Sequence, residues 1–575
     1  MEFFLLDRFE TKLVLAKFEN LRIAKTKHCL NCLNLVATIQ STAIKTIMKD
    51  FYLILFVFCA SILNAQEYFN VTLKESSRQN CPALHSGAIV EENNYWVFVG
   101  GRSNGLHGFT PSSAFGIAYS SDSLWVYNPI TDVNYKTDLR ILGDTIADAI
   151  TSSNMQYWKD SNMLYMFGGY GYSHRDLGFI TFPTITAIDL TCAINAGINN
   201  VSVAPCVRQY TDSFVRVTGA NVIKLDSLYY LVFGHVFDGQ YQPNIDTNYF
   251  QQTYTNEIRR FTISDDGVSL NLQNKFSIYD SLEFHRRDFN LVPQRFSDGS
   301  YGATAFSGVF QYDVNLPYLN FIDIKNHSTS INASFEQRLS AYHSAKLPVY
   351  DSINGTMHSV FFGGHALYFY DSLNDVIAMD TNVPFVNTIS RVSKYSDGSV
   401  LEYRMKDKLP LLMGTNAEFF SLDTISFLPH DILNLNKIHH KECVGFIVSG
   451  MVSLLPNIST GNTFSRSYAN RKVYEVWIDK DSLNNTDVQL LSQPYQIHVY
   501  PNPSNDYLYL KIENQKDLAI DIWLMNISGE IVYSTKVNRM NEISRINVRN
   551  YPSGEYILKT MSGFFGGYQK VIIAH

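Results

Sequence analysis

Cysteine is scarce in this chain of 575 residues. There are seven, and three of them precede residue 66. The remaining four, Cys81, Cys192, Cys206 and Cys443, are too few to weave a disulfide scaffold, so the fold must rest on an apolar core. Charge is scarce as well: 17% of residues are Asp, Glu, Lys or Arg, and no basic tail or stripe is present, which argues against a nucleic-acid partner. No apolar run approaches the roughly 20 residues of a membrane-spanning helix. Catalytic signatures are missing too, with no GxSxG, HExxH or P-loop. The stretches "SDDG" at Ser264 and "SDGS" at Ser297 and Ser396 lack the alternating acidic ligands and terminal Glu of a calcium loop and read as tight turns. Neither a metal nor a cofactor is expected.

Aromatic side chains are abundant. Phe (38) and Tyr (36) dominate a 14% aromatic content, a bias toward pleated surfaces where flat side chains pack well. The N-terminal region holds a different signal. Lys49, the 13-residue apolar run 51–63 and the small residue Ala65 have the order of a secretory signal peptide. Because 47 residues precede it, translation is expected to begin at Met48, and the "CLNC" at Cys29–Cys32 carries no weight. Residues 1–65 hold eight Lys/Arg and five Asp/Glu, so the remainder carries a formal charge of −10. Cys192 and Cys206 are close enough in sequence to bridge in an exported protein.

An apolar–apolar–x–Gly pattern recurs six times: "VFVGG" ending at Gly101, "YMFGG" at Gly169, "LVFGH" at His235, "TAFSG" at Gly308, "VFFGG" at Gly364 and "FIVSG" at Gly450. Strand-like runs flank each copy. "ALHSGAIV", "NVIKL" and "YHSAKLPVY" precede. "SLWVYNPIT", "TAIDLT", "NEIRRFTIS", "LNFIDI", "LYFYD" (from Leu367) and "KVYEVWID" follow. Uneven spacing excludes a strict solenoid and suits four-stranded meanders whose loops vary freely.

Strand–Gly–Gly followed by an aromatic strand resembles the kelch repeat. The resemblance implies an all-β fold in which residues 66–480 form a kelch-like six-bladed β-propeller, with "EYFNVTL" at 67–73 pairing into the last blade beside "KVYEVWID". Glycine suits the crowded ends of such strands because it lacks Cβ and accepts φ > 0.

The last eighty residues alternate as short strands, starting at "IHVYPNPSNDYLYLKI". Pro501, Asn502, Pro503, Gly529, Gly554 and Tyr556 lie at motif positions that resemble the C-terminal sorting domain of type IX secretion cargo. That resemblance implies a small β-sandwich over 495–575, a linker at 481–494, the type IX translocon as partner, and a secreted or outer-membrane surface location without a transmembrane span.

Within the repeats, "EFHRRDFN" is the most charged unusual stretch. His285, Arg286, Arg287 and Asp288 are candidate ligand-binding residues, with His343 and His365 in the next repeat; Arg forks suit carboxylates. His85, His285 and His343 are expected along one rim, and Arg286, Arg287, His343 and His365 toward one end of the channel. Two functions follow: a surface module binding glycan or protein, or a sugar isomerase or mutarotase acting in the axial funnel.

Overall fold

A computed structural model describes residues 69–575 except 111–112, 242–249, 372–375, 460–462, 481–488, 491–494, 515–518, 527–529, 538–542 and 563–564. The expected signal segment, most of the expected linker and Gly529 lie outside the described residues. The described chain is nearly all β, arranged as many small sheets, with α-helices at Asp144–Ile150 and Leu190–Asn199.

Between residues 70 and 479 the strands form six antiparallel four-stranded sheets in chain order, the fifth extended by two short strands from within that span and by Gln489–Leu490 beyond it. In the first sheet, Ala88–Glu92 and Tyr95–Val99 are joined by Asn93-Asn94 at φ 52° and 64°. Two left-handed residues make the tight turn that suits strand twist. The sixth sheet draws Ala417–Ser421, Lys441–Ser449 and Tyr474–Asp479 from the late chain and its outer strand, Asn70–Glu75, from the start. Val71 pairs with Ile478 and Leu73 with Val476.

Each Gly-ended strand is the second of its sheet and finishes in two consecutive left-handed residues. Three copies use Gly100-Gly101, Gly168-Gly169 and Gly363-Gly364. The others place Phe233, Ser307 and Ser449 (φ 56°, 56° and 66°) before Gly234, Gly308 and Gly450. Conformation repeats where composition does not, and the third copy is Phe233-Gly234, one residue earlier than "LVFGH" implies. The pair turns backbone N–H groups onto the neighbouring sheet: Gly101 donates to Ser152 O at 2.9 Å, Gly169 to Val217 O at 2.9 Å and Gly234 to Arg286 O at 2.8 Å. A Cβ on Gly168 would lie 2.0 Å from Val217 O, so the approach itself demands glycine.

The innermost strands are linked in a second register. Asn154 N donates to Ser86 O (2.8 Å), Gly219 N to Asn154 O (3.1 Å), Asp288 N to Gly219 O (2.8 Å), His343 N to Asp288 O (2.8 Å) and Asn416 N to His343 O (2.9 Å). The circuit closes through side chains, Asn416 Nδ2 donating to Ser86 Oγ at 2.6 Å. Six sheets thus contribute one residue each to a ring of hydrogen bonds.

Apolar clusters fill the spaces between neighbouring sheets. Val97, Val99, Leu164 and Ile188 pack between the first and second; Ile223, Val232, Leu291 and Ala305 pack between the third and fourth. Burial of such side chains, roughly 1.5–3 kcal/mol each, is the main stabilising contribution.

Two local expectations are corrected. "LYFYD" supplies Tyr368–Asp371 of a separate two-stranded hairpin, and the third strand of the fifth sheet is Phe385–Lys394. "TAIDLT" ends its strand at Asp189, whose carboxylate accepts the Cys192 N–H and caps a ten-residue helix. A disulfide joins Cys192 in that helix to Cys206.

Beyond residue 494, Tyr495–Tyr500, Tyr507–Asn514 and Ile543–Asn547 form one sheet. Ile531–Val537, Ile520–Asn526, Gly554–Ser562 and Phe565–Ile573 form another. Leu508, Leu510, Ile522, Leu524, Ile546 and Leu558 share a core. Asn502, between Pro501 and Pro503, clamps the last strand: its Nδ2 donates to Lys570 O (2.9 Å) and its Oδ1 accepts the Ile572 N–H (2.8 Å). Gly554 opens the strand in which Tyr556 is buried, its hydroxyl donating to Pro552 O at 2.9 Å.

Candidate functional site

The hydrogen-bonded ring is the waist between two cavities. All six of its residues line a cavity of about 560 Å³, and Ser86, Asn154, Asp288 and Asn416 also line a second of about 290 Å³.

The smaller cavity is assembled from two repeated positions. One immediately precedes the ring residue: His85, Ser153, Thr218, Arg287, Tyr342 and Thr415 all line it. The other immediately follows the left-handed pair: Arg102, Tyr170, His235, His365 and Met451 line it, and Val309 fills the sixth position. Backbone bridges such as His85 with Arg102 and Thr218 with His235 hold the two positions side by side.

Arg102 is 4% exposed. Its Nε donates to Asn104 Oδ1 (3.2 Å) and its Nη2 to Gly116 O (3.0 Å); Phe115 lies 5.3 Å from the guanidinium carbon. No carboxylate pairs with it among the described residues, and burial lowers its pKa to about 10. The closure of the ring positions it. Asn416 donates to Ser86 Oγ, Ser86 hydrogen-bonds to His85 Nδ1 (2.9 Å), and His85 Nε2 donates to Asn104 O (2.9 Å).

Arg287 reaches the same cavity. Its Nη1 is ion-paired to Asp288 and its Nε donates to Tyr254 Oη at 3.2 Å. Four imidazoles share the lining and are held neutral by burial. The pKa of His85 falls to about 3, of His107 to about 4 and of His365 to about 3, and that of His235 falls well below its usual value. His107 stacks on Phe115 at 4.1 Å and feels both Arg102 and Arg287; its Nδ1 donates to Gly108 O at 3.0 Å, which leaves Nε2 unprotonated.

The residues singled out from sequence separate. Arg287, Asp288 and His365 line the smaller cavity; His343 and Asp288 line the larger. His285 lies in neither; it stacks on Tyr254 at 3.7 Å and meets Asn256 Oδ1 at 3.1 Å. Arg286 is fully buried in the wall of the fourth sheet. It donates to Glu283 O (2.6 Å), Glu283 Oε2 (2.8 Å), Ser307 O (3.0 Å), Asn320 O (3.2 Å) and Asn320 Oδ1 (2.7 Å) over the ring of Tyr318, so no ligand reaches it. The expected single rim and single channel end are therefore replaced by two opposed cavities. Arg102, His107 and His235 escape a motif scan. The position after each left-handed pair marks Arg102 and His235, whereas no such signal marks His107. The one three-residue group with metal-ligand spacing among the described residues, Asp144, Asp148 and His174, is already bridged by Arg140.

Residues 498–574 match the family described as the secretion system C-terminal sorting domain. A type IX sorting tail is thus present and indicates export to a secreted or cell-surface location. No curated protein matches the chain. Among solved structures, one titled "Structure of YjhT" is similar over 73% of this chain and 99% of its own, at 9% identity and a TM-score of 0.40. No helix among the described residues is long and apolar enough to cross a membrane.

Proposed function

We propose that residues 66–480 are a six-bladed kelch-like β-propeller that captures an acidic saccharide in the arginine cavity, carried outward by the sorting domain at 495–575 through the type IX translocon and a linker at 481–494. Six meander sheets, a six-membered ring of hydrogen bonds and an N-terminal strand completing the sixth sheet support the propeller reading. Arg102 carries the ligand reading. A guanidinium buried without a carboxylate costs solvation that an incoming anion offsets. Its Nη1 and the Nη2 of Arg287 have no protein partner among the described residues. Tyr170, Phe115 and Tyr241 offer flat walls to a sugar ring.

One observation favours an enzymatic variant. His107 Nε2 is an unprotonated base in the same cavity, able to take the anomeric hydroxyl proton of a bound sugar as the ring C–O bond breaks and to return that proton to the ring oxygen.

Calorimetry with glucuronate and galacturonate tests the reading. Arg102→Met is expected to weaken binding at least about tenfold, the loss of a charge-assisted contact, with the melting temperature within a few degrees of the parent. Binding of neither uronate, or binding indifferent to Arg102, refutes it. Anomer exchange measured by NMR, faster with the protein and slowed by His107→Phe, decides for the enzymatic variant.

A further inference from the structure

The larger cavity has a different chemistry on the opposite side of the waist. Lys346 Nζ lies 3.0 Å from His343 Nε2 and 3.7 Å from Glu418 Oε2; His343 Nε2 lies 3.3 Å from Glu418 Oε1. Lys346 and His343 stand on the fifth sheet or its lead-in, and Glu418 on the sixth. Tyr157, from the second sheet, also lines the cavity, and burial together with the Glu418 carboxylate raises its pKa well above the usual value. These side chains are 15–21% exposed for Lys346, Glu418 and His343, and all four line the cavity.

His343 Nε2 sits between an ammonium and a carboxylate and can satisfy only one. Lys346, a donor only, leaves its nitrogen unprotonated, and Glu418 Oε1 then faces another acceptor. The ammonium keeps spare N–H groups and the carboxylate keeps spare lone pairs, 3.7 Å apart. Around them the carboxamide of Asn154 makes no side-chain hydrogen bond among the described residues. Asn221 and Asn416 spend their Nδ2 groups on Phe289 O (2.9 Å) and Ser86 Oγ (2.6 Å), leaving Oδ1 to accept. Trp158 adds a flat apolar wall.

Lys346 and Glu418 form a donor–acceptor pair whose charges balance, while Glu91, Asp288, Asp423 and Asp431 against Lys159 make the rest of the lining acidic and unfavourable to an anion. A hydroxyl accepts from the ammonium while donating to the carboxylate, and vicinal hydroxyls do so in pairs. An isolated anion or cation would instead face an opposing group of its own sign. We infer that the larger cavity is a second binding site, for an uncharged, hydroxyl-rich saccharide, recognised by the Lys346–Glu418 pair and the asparagine carboxamides. Arg102 and Arg287 stay outside this site, although Asn154 and Asn416 line both cavities, so the Lys346–Glu418 pair is what sets it apart from the acidic-ligand reading.

The test is calorimetry and saturation-transfer NMR on the whole chain with maltose, cellobiose and N,N′-diacetylchitobiose. At least one is expected to bind. Glu418→Gln and Lys346→Met should each weaken it about tenfold or more, as expected for hydrogen bonds to charged groups. Arg102→Met should leave it unchanged. Should either charge variant fail to fold, Ser421→Trp, at the rim of the larger cavity alone, obstructs it without touching the pair and should abolish binding. Binding of none of the three disaccharides overturns the inference and leaves the pair a clamp between the fifth and sixth sheets. So does binding that survives Glu418→Gln and Ser421→Trp, or that is lost with Arg102→Met.

Discussion

Two cavities share a waist and differ in where their polar groups come from. The smaller is built at the ends of strands, from residues flanking the left-handed pair and the ring, positions free to vary because neither packs between sheets. The larger is built from the bodies of innermost strands: Lys346 lies in Ala345–Asp351, Glu418 in Ala417–Ser421 and Tyr157 in Gln156–Asp160. Charge is correspondingly loose in the first and cross-linked in the second. Among the described residues Arg102 has no acid, whereas Lys346, His343 and Glu418 hold one another. The lesson is that repeated sheets can separate electrostatic roles on the two sides of a hydrogen-bonded waist without altering the backbone register that joins them.

The largest effect is expected where the wall supporting both cavities is cut. Arg286→Met removes a fully buried guanidinium and its five hydrogen bonds, one of them an ion pair with the partly exposed Glu283. It should cost about 3–5 kcal/mol in urea unfolding, while Arg287→Met, next in the chain but open to the smaller cavity, should cost far less. Equal losses would erase the distinction between wall and cavity.

Gly168→Ala should follow, on the order of 3 kcal/mol, because its Cβ would meet Val217 O at 2.0 Å and its φ is 63°. Both cavities should lose ligand together; a variant as stable as the parent would mean the ring tolerates opening.

Acid should act on both cavities next, with more imidazoles at stake in the smaller. His85, His107 and His365 have folded pKa values of about 3, 4 and 3 in the smaller cavity, against an ordinary 6.5, and His343 about 4 in the larger. The unfolded chain therefore takes up protons first as the pH falls. Stability is complete above 6.5 and declines toward 3–4. The urea midpoint should drop between about pH 7.5 and about pH 4.5, and His365→Phe should flatten that drop. A midpoint constant across this range would show that the imidazoles are not buried neutral.

The smallest effect is screening. Raising salt from about 0.05 to about 0.5 M should weaken uronate binding several-fold through Arg102 and leave disaccharide binding at the larger cavity unchanged.

What was legible in the chain tracks the range of the interaction responsible. "VFVGG", "YMFGG" and "VFFGG" announce themselves because a left-handed residue is a local demand that glycine meets. Phe233, Ser307 and Ser449 hide the same demand, since it is met by partners distant in sequence, such as Leu84 O for Ser449 and Tyr318 O for Ser307. Arg287 stands out in "HRRD", yet nothing nearby distinguishes it from Arg286; the difference is that Glu283 and Asn320 wrap only the latter. Arg102 reads as an ordinary surface residue after "VGG" until His85 and Asn104 are brought beside it. The helix at Leu190–Asn199 is masked by the apolar run it continues, because its cap, Asp189, reads equally well as a turn. "LYFYD" has the alternation of a sheet strand and differs from Phe385–Lys394 only in its partners.

The outer strand of the sixth sheet carries a consequence for how the chain matures. Lys74 and Glu475 meet at 3.4 Å although 401 residues separate them. Loop closure over such a span is slow compared with pairing within a hairpin. Synthesis or translocation running from the N-terminus must therefore release residue 479 before residues 70–75 find their partner. Until then Asn70–Glu75 lacks its partner and presents unpaired backbone groups, the kind of surface that recruits other strands. The molecule is thus unfinished for most of its passage, and the strand that completes it is the one that has waited longest.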